Sequence, residues 1–284
     1  MPELPEVEIL ARHLRPLLKG KTIRAVEIRR AKVLLPTAPA KFQKELRGAK
    51  FLGLQRRGKY LLFELRRPAD RRKFFLVGHL GMTGRMYLAP KTAPLPKHAA
   101  VVLRLGARNF IYEDTRYFGR LTLAVSAVEK LGPEPGDEKF TAQHFHNSLK
   151  SSRQPVKVKL LDQSLIAGVG NIYASEALFR AGISPRRAAN KISASAAKKL
   201  LSAVRAVLQE AIDGGSTIPL DFSGGKKTDG LFYFGRAATA PDYYVERLRV
   251  YDRAGKPCAK CQRPIRRIIQ AARSTFFCGD CQKG

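Results

Sequence analysis

Acidic residues are scarce in this chain of 284 residues, and no apolar run approaches the length of a transmembrane helix. Asp and Glu number 23 against 53 Lys and Arg, which gives a formal net charge of +30 at pH 7. A charge so one-sided attracts polyanions, of which nucleic acid is the first candidate and an anionic membrane surface the second. A well-solvated basic surface without a specific partner is the alternative. Because no apolar run is long enough to span a bilayer, a membrane role has no support in the sequence.

The opening MPELPE is acidic where a secretory signal would be basic and then apolar, so we expect no such signal. We therefore expect a cytoplasmic, nucleoid-associated protein. No internal repeat and no long polar tract interrupts the sequence, and 44% hydrophobic residues suffice for an ordinary core. The length allows two domains, or one domain with an appended module.

Cysteine is absent until Cys258, and all four cysteines fall in the last 27 residues. They form the pattern C-x2-C-x16-C-x2-C, which pairs Cys258 with Cys261 and Cys278 with Cys281. Two close pairs separated by the length of a hairpin supply four thiolates for a tetrahedral zinc ion. Two disulfides are the alternative, which a reducing cytoplasm disfavours. The spacing thus predicts one structural zinc ion per chain.

Hydrophobic periodicity divides the chain into a β-rich first half and a helical second half. An N-terminal helix is predicted from apolar residues that share one face: Val7, Leu10, Leu14, Leu17 and Leu18. From residue 22 to about 125, short apolar segments alternate with Gly, Pro and basic turns, and the clearest lie at 60–65, 74–77 and 100–105. This pattern is typical of a β-sandwich or barrel.

The stretch LGPEPGD at 131–137 breaks the strand pattern and is the best candidate for a linker. After it, a helical stripe of apolar residues stops at Gly214: Leu200, Leu201, Val204, Leu208 and Ile212. Residues 221–241 are rich in Gly and carry two lysines and an aromatic run, which predicts a long loop. The cysteine-bearing tail is predicted to form two β-hairpin elements around zinc.

These patterns together predict an α+β protein. An N-terminal β-sandwich with a flanking helix precedes a helical domain that ends in a four-cysteine zinc finger. The predicted bounds are 1–132 for the first domain, 133–150 for a linker, 151–240 for the helical domain and 241–284 for the zinc finger.

Five sequence blocks and the cysteine pattern follow one another in a specific order. The opening MPELPEVE precedes RGKYL at 57–61, GHLGMTG at 78–84, DTRYFG at 114–119 and the interrupted block LDQS…GVGNIYASE within 161–176. This set resembles the formamidopyrimidine-DNA glycosylases, and the resemblance spans nearly the whole chain. It implies that the helical domain is a helix–two-turn–helix (H2TH) DNA-binding domain, with a loop at about 216–241 that covers the damaged base.

The opening block offers a nucleophile once Met1 is removed, because Pro2 then carries a secondary amine. An α-amino group has a reference pKa of about 8, against about 10.4 for lysine, so it is more often unprotonated near neutral pH. Its attack on the sugar C1′ of a flipped nucleotide expels the base and leads to an iminium, which permits strand cleavage by elimination. Glu3 is the natural proton shuttle. The alternative for these residues is merely to start a helix.

The resemblance assigns further roles residue by residue. It implies that the catalytic residues are Pro2, Glu3, Glu6 and Lys59, and that the DNA-binding residues are His98, Lys157, Asn171 and Arg273. Taken alone, Lys59 would be an ordinary solvated lysine. Asn171 follows a Gly-x-Gly turn, where small residues let backbone amides approach phosphates. Arg273 lies five residues before Cys278, so the zinc element would orient an arginine.

Met82, Arg116 and Phe118 resemble the residues that fill the gap left by a flipped base. An apolar side chain can enter between base steps, and an arginine can hydrogen-bond the widowed partner base. Packing in the core is the alternative for Met82 and for Phe118, each considered alone.

We therefore expect a bifunctional glycosylase and AP lyase that acts in base excision repair. It would excise 8-oxoguanine and formamidopyrimidines through an N-terminal proline Schiff base, followed by β,δ-elimination. The expected partner is damaged double-stranded DNA, bound by a monomer without a nucleotide cofactor or a membrane.

Two alternatives stay open. In the first, the same machinery acts on oxidised pyrimidines or unusual lesions, since the segment after residue 218 departs from the family pattern. Ala100 is a separate departure, because a histidine often occurs there, and we expect one backbone contact to be missing at this position. A lesion-binding protein that does not cut is the second alternative, which the presence of Pro2, Glu3 and Lys59 disfavours. An RNA-binding or ribosomal role explains the charge but predicts no N-terminal nucleophile.

Overall fold

The computed structural model of the chain describes residues 2–214 and 248–283. The α-helices are α1 (Leu4–Leu18), α2 (Pro39–Leu46), α3 (Ser126–Glu129), α4 (Ala142–Lys150), α5 (Val156–Leu160), α6 (Asn171–Ala181) and α7 (Ala194–Asp213). The strands are β1 (Ala25–Ile28), β2 (Lys50–Arg57), β3 (Tyr60–Arg66), β4 (Lys73–His79), β5 (Gly84–Pro90), β6 (Ala99–Arg104), β7 (Arg108–Asp114), β8 (Arg120–Thr122), β9 (Arg266–Gln270) and β10 (Arg273–Phe277).

The described residues fall into two compact units. The N-terminal unit comprises Pro2 and residues 6–129, and the C-terminal unit comprises residues 3–5, 130–214 and 248–283. Among the described residues, no helix has the length and apolarity needed to cross a membrane. The predicted loop at 221–241 lies outside them.

Two four-stranded antiparallel sheets form the N-terminal unit, with the strand orders β1-β6-β7-β5 and β2-β3-β4-β8. Burial alternates along β3, as a strand with one face in a core requires. Phe63 of β3 meets Phe110 of β7 edge-on, with ring centroids 5.5 Å apart and both side chains fully buried. The two sheets therefore pack face to face, and the predicted β-sandwich is confirmed.

Helix α1 presents the apolar face that its sequence predicts. Val7, Leu10, Leu14 and Leu18 are buried, whereas Leu17 is half-buried at the helix end. Each fully buried side chain of this kind stabilises the fold by about 1.5–3 kcal/mol. The helix ends at Leu18, two residues before Gly20.

Helices α6 and α7 form the centre of the C-terminal unit. The predicted stripe of α7 is buried at Leu200, Leu201, Val204 and Leu208. The Ser193 side chain caps this helix by accepting a hydrogen bond from the Ala196 amide at 3.2 Å. The predicted helical second half is therefore confirmed.

The segment 133–150, predicted as a linker, is irregular only in its first part. Helix α4 begins after Thr141, whose side chain accepts a hydrogen bond from the His144 amide, and its Phe145 and Leu149 lie in the core of the C-terminal unit. A nine-residue helix with so few apolar positions leaves little periodicity to detect. The linker prediction is thus too long at its C-terminal side.

The tail contains one two-stranded hairpin, in which β9 pairs with β10 from Gln270↔Arg273 to Arg266↔Phe277. The second predicted hairpin element is a tight turn closed by the single bridge Pro257↔Pro264. Cys258 and Cys261 lie on this turn, and Cys278 follows β10 directly.

Candidate functional site

Glu3 is buried at the N-terminus of helix α6, with 1% of its surface exposed. Its Oε1 accepts a hydrogen bond from the Ile172 amide at 2.9 Å, and its Oε2 accepts one from the Tyr173 amide at 3.4 Å. The first amides of a helix lack partners within the helix, and the helix dipole favours a negative charge there. The carboxylate of Glu3 therefore caps α6.

Two glycines make room for the N-terminal segment beside this helix. A Cβ at Gly170 would lie 2.3 Å from Glu3 Cδ, and one at Gly168 would lie 2.5 Å from Leu4 Cδ1. The sequence pattern assigned this Gly-x-Gly turn to phosphate contacts. The structure corrects that interpretation, because the turn receives Leu4 and Glu3 and the amides after it bind a carboxylate.

Gly170→Ala should lower the free energy of unfolding by at least about 2 kcal/mol, because the added methyl group has no space beside Glu3. Urea unfolding followed by circular dichroism measures the change. Gly136→Ala is the matched control, since a Cβ at Gly136 would meet no atom within 4 Å. Equal stabilities of the two variants would contradict this close approach of Glu3 to the turn.

Three of the residues predicted to bind DNA are brought together in the C-terminal unit. The Nζ of Lys157 donates to Oδ1 of Asn171, and Nδ2 of Asn171 donates to the Ser274 carbonyl at 2.9 Å. Ser274 follows Arg273 on strand β10. Asn171 therefore ties Lys157 and helix α6 to the zinc-finger strand that carries Arg273.

Lys157 is fully buried, which is unusual for a lysine. Burial first and repulsion from Arg273 second lower its pKa, attraction to Glu3 acts in the opposite direction, and the resulting pKa is about 8. Lys157 thus carries its charge at pH 7 but loses it within the mildly alkaline range.

Glu176 was not singled out by its sequence, yet it holds the segment before the zinc finger. Its carboxylate accepts hydrogen bonds from the amides of Arg249, Val250 and Tyr251 at 2.9, 2.9 and 2.8 Å. Burial raises the pKa of Glu176, and these three hydrogen bonds lower it. Contacts across more than 70 residues leave no local sequence pattern by which they could be predicted.

Lys59 lies in the turn between β2 and β3 and is only 8% exposed. It is therefore not the solvated lysine that its position alone suggested. Its charge lies near His79, whose pKa is lowered to about 4 by burial first and then by Lys59 and Arg120. His79 Nδ1 accepts a hydrogen bond from the Gly81 amide at 3.2 Å, as a neutral ring can. His79 is a neighbour of the site that sequence analysis missed, although it stands within a matching block.

Pro2 is buried and directly precedes Glu3 in the chain. Glu6 lies in the first turn of α1 and is 1% exposed. The helix dipole favours an acidic residue in the first turn of a helix. Glu6 thus fulfils the helix-start role, which does not conflict with a place near the chain end.

Met82, Arg116 and Phe118 lie on neighbouring loops of the N-terminal unit. Met82 is 41% and Phe118 51% exposed, so core packing does not explain either residue. The guanidinium of Arg116 stacks over the Phe118 ring at 4.6 Å from its centroid. An arginine and two exposed apolar side chains are thus presented together.

The buried carboxylate of Asp114 fixes these loops. It accepts hydrogen bonds from Thr83 Oγ1 at 2.6 Å, from the Gly119 amide at 2.8 Å and from the Arg116 amide at 3.1 Å. A Cβ at Gly81 would lie 2.5 Å from the Gly119 nitrogen, so the loops meet backbone to backbone. The exposed side chains therefore project from a rigid base.

His98 lies beside the same loops. Its carbonyl accepts a hydrogen bond from the Asp114 amide at 3.1 Å, and its ring centroid lies 6.4 Å from that of Tyr117. Tyr117 also receives a hydrogen bond from Arg30 at 3.2 Å. The residue between Arg116 and Phe118 is thus held from two sides.

The four cysteine Sγ atoms lie within 4.8 Å of one another. Tetrahedral zinc with Zn–S bonds of about 2.3 Å places its sulfurs about 3.8 Å apart. The Sγ distances of 3.9 Å for Cys258–Cys281 and 3.4 Å for Cys261–Cys278 fit that geometry. The residues present therefore suit one zinc ion.

Comparison with known proteins covers the whole architecture. Family models match the formamidopyrimidine-DNA glycosylase N-terminal domain at residues 1–121, the formamidopyrimidine-DNA glycosylase H2TH domain at 131–221, and a zinc finger found in FPG and IleRS at 255–284. Formamidopyrimidine-DNA glycosylase of Thermus thermophilus is 42% identical over 290 residues, which cover 99% of this chain and 98% of the relative.

Solved structures of the Lactococcus lactis enzyme are similar in fold. Its complex with DNA containing an abasic site has a TM-score of 0.86 and 34% identity, and it covers 99% of this chain and 100% of its own. The complex of the wild-type enzyme with DNA containing N7-benzyl-Fapy-dG gives a TM-score of 0.86 and 34% identity over the full length of both chains.

The fold and the matched domains define a DNA-repair glycosylase with an H2TH domain and a zinc finger. The chain belongs to the formamidopyrimidine-DNA glycosylase family. The predicted family and the structural zinc ion held by the four cysteines are both confirmed.

Proposed function

We propose that the protein is a bifunctional glycosylase and AP lyase that excises 8-oxoguanine and formamidopyrimidines from duplex DNA during base excision repair. The observation that carries the proposal is the fixed position of Glu3, bound to two amides of helix α6 and directly preceded by Pro2. A chain end secured in this way suits a nucleophile that must reach one sugar carbon. The DNA in the Lactococcus lactis complexes, with an abasic site or a Fapy-dG derivative, supports this substrate class.

The chemistry follows from a secondary amine at Pro2. Its nitrogen attacks C1′ of the flipped nucleotide, the bond from C1′ to the base breaks, and the base leaves with a proton. Protonation of the ring oxygen opens the sugar and gives the iminium. Loss of a C2′ proton then expels the 3′ phosphate, a second elimination expels the 5′ phosphate, and hydrolysis frees Pro2. Glu3, the neighbouring carboxylate, carries the protons between these steps.

Phosphate binding supports that reaction from the C-terminal unit. Lys157, Asn171 and Arg273 hold the backbone beside the flipped nucleotide, and their mutual contacts fix their spacing. In the N-terminal unit, Met82 and Phe118 fill the gap in the stack, and Arg116 hydrogen-bonds the widowed base. Lys59 and Glu6 complete the set around the chain end.

Borohydride trapping tests the proposal, since it reduces the iminium to a stable adduct. The untagged protein is incubated with duplexes containing 8-oxoguanine opposite cytosine, a ring-opened purine, an oxidised pyrimidine or an abasic site. We expect adducts mapped to Pro2 on the purine lesions and on the abasic site. An adduct on abasic DNA alone would contradict the proposed purine substrates but would still support the lyase activity. Intact binding without any adduct would overturn the enzymatic proposal.

Phe118→Ala should slow excision of 8-oxoguanine by about 10-fold or more, because a ring stacked on a base contributes about 1–3 kcal/mol. Its stability should change by less than about 0.5 kcal/mol, since the side chain is half-exposed. Leu35→Ala is the control, because Leu35 is 54% exposed against 51% for Phe118. Single-turnover rates measure the effect, and equal rates for the two variants would exclude the gap-filling role.

Affinity for an abasic duplex should fall between pH 7 and 9, because the folded protein loses the Lys157 charge around its pKa of about 8. The sign follows from the direction of the shift: the unfolded chain keeps this charge to about pH 10.4, so its loss at pH 8 belongs to the folded state. Fluorescence anisotropy at constant ionic strength measures the profile.

Lys157→Gln should bind more weakly at pH 7 and should lack this part of the pH dependence. Lys198→Gln, at an exposed lysine of α7, is the control and should keep the wild-type profile. An unchanged profile in Lys157→Gln would show that another group is responsible.

A further inference from the structure

A basic cavity of about 500 Å³ lies in the C-terminal unit, where the segment after α6 meets the end of the zinc finger. Arg186, Arg187, Arg266 and Lys283 line it, without any lining Asp or Glu among the described residues. None of these four cations forms an ion pair with another described residue. Such an uncompensated cluster attracts an anion.

The floor of the cavity is fixed by hydrogen bonds. The Ser184 amide donates to the Lys283 carbonyl at 3.1 Å. The buried side chain of Gln282 donates to the Ile183 carbonyl and accepts from the Cys278 amide, each at 2.9 Å. These hydrogen bonds hold the segment after α6 and the end of the finger together, so the cations lie on segments that are fixed relative to each other.

Two of the arginines are also held by their surroundings. Arg186 stacks over the Phe277 ring at 5.4 Å from its centroid. A Cβ at Gly279 would lie 2.9 Å from Arg266 Cζ, so glycine leaves the space that this guanidinium occupies. Asp280 is the nearest acidic residue in sequence, and it neither lines the cavity nor pairs with these cations. Guanidinium groups suit phosphate, which they bind through paired N–H donors.

The cavity and Arg273 lie on one face of the zinc-finger hairpin. Arg273 and Phe277 are four residues apart on β10, and Arg266 pairs with Phe277. Four strand residues span about 13 Å at about 3.3 Å each. That distance matches about four base pairs of duplex at about 3.4 Å each. We infer that the basic cavity binds a DNA phosphate outside the set that contacts the lesion.

This inference rests on the proposed function, and its test uses binding rather than chemistry. Arg186→Gln/Arg187→Gln is compared with Lys198→Gln/Lys199→Gln, which removes equal charge from exposed positions of α7. The probes are three duplexes that contain an abasic analogue. In the long duplex the analogue lies about ten base pairs from both ends, and in each of two truncated duplexes it lies about three base pairs from one end, on opposite sides. Anisotropy titrations over a range of salt give the affinities and the slopes of log K against log salt.

On the long duplex, the arginine double variant should bind about 5- to 10-fold more weakly, and its salt slope should fall by about 1–2. One of the truncated duplexes should bind this variant and the wild type equally. Arg186→Lys/Arg187→Lys should recover most of the lost slope, because it restores the charge. Equal behaviour of the arginine and α7 double variants on all duplexes would overturn the inference.

The number of DNA equivalents bound shows whether the phosphate belongs to the duplex that carries the lesion or to a second duplex. A loss confined to the second equivalent of DNA would assign the cavity to a second duplex, with the same phosphate chemistry. Trapping on the truncated duplex that binds both proteins equally, prepared with a true abasic site in place of the analogue, should give the same result for the arginine double variant and the wild type, so a failure of the proposed activity is recognised separately. If thermal unfolding shows that the double variant is misfolded, the single variant Arg186→Gln, at an exposed side chain, replaces it.

Discussion

Protein that retains one extra residue before Pro2 should lose excision and strand cleavage by about 1,000-fold or more. An added residue turns the secondary amine into an amide, whose nitrogen is not nucleophilic and cannot form an iminium. A loss of this size corresponds to about 4 kcal/mol in the activation barrier. Binding of an abasic duplex should change by no more than about 3-fold, since the cationic side chains are untouched.

The control for this blocked protein is the same polypeptide after a protease has removed the added residue. Restored cleavage would link the loss to the free amine, and borohydride should then trap the adduct at Pro2. Cleavage by the blocked protein at an undiminished rate would contradict the proposed nucleophile and direct attention to a lysine such as Lys59.

Removal of zinc should weaken binding of an abasic duplex by at least about 100-fold. The finger has a small core, formed by Phe179, Val250, Ile265 and Phe276 together with Cys258 and Cys278. So few apolar residues do not stabilise a fold without the metal, and zinc binding by such elements contributes about 10–16 kcal/mol. Loss of the hairpin would also remove the Ser274 carbonyl that holds Asn171.

Chelation followed by anisotropy measures this effect, with the metal content determined in parallel. Returning zinc in stoichiometric amount should restore the affinity, which separates reversible unfolding from damage. Cys261→Ser should reproduce the weak binding, and Ser126→Ala is a control far along the chain from the four cysteines. Full affinity in protein shown to be free of metal would contradict a structural role for the ion.

Local sequence patterns predicted the correct elements where the hydrophobic periodicity agreed with the residues that end a helix or a strand. The strand segment predicted at 60–65 is β3 (Tyr60–Arg66), and the stripe that stops at Gly214 belongs to α7, which ends at Asp213. Alternating burial and a helical apolar face are properties of a few consecutive residues, so they are visible without the fold. Helix α4 escaped because its two core residues give no such repeat.

The site depended on contacts that no local pattern contains. The spacing of the cysteines announces the zinc ion, because ligands of one ion cluster in sequence. By contrast, Gly168 and Gly170 were explained by phosphate contacts, whereas the space beside them is taken by Leu4 and Glu3. The hydrogen bonds from the Val250 amide to Glu176 and from Thr83 to Asp114 likewise join positions 74 and 31 residues apart, and only the tertiary structure reveals them.

The hydrogen bond from the Ile172 amide to Glu3 joins positions 169 residues apart, which has a consequence for synthesis on the ribosome. The chain emerges from its N-terminus, so Pro2 and Glu3 appear long before helix α6 is translated. Until then the carboxylate of Glu3 has no helix end to cap, and the amine next to it has no fixed position. If Pro2 is the nucleophile, a nascent or prematurely terminated chain is therefore unable to cut DNA, and the reactive end is positioned only when the DNA-binding half exists.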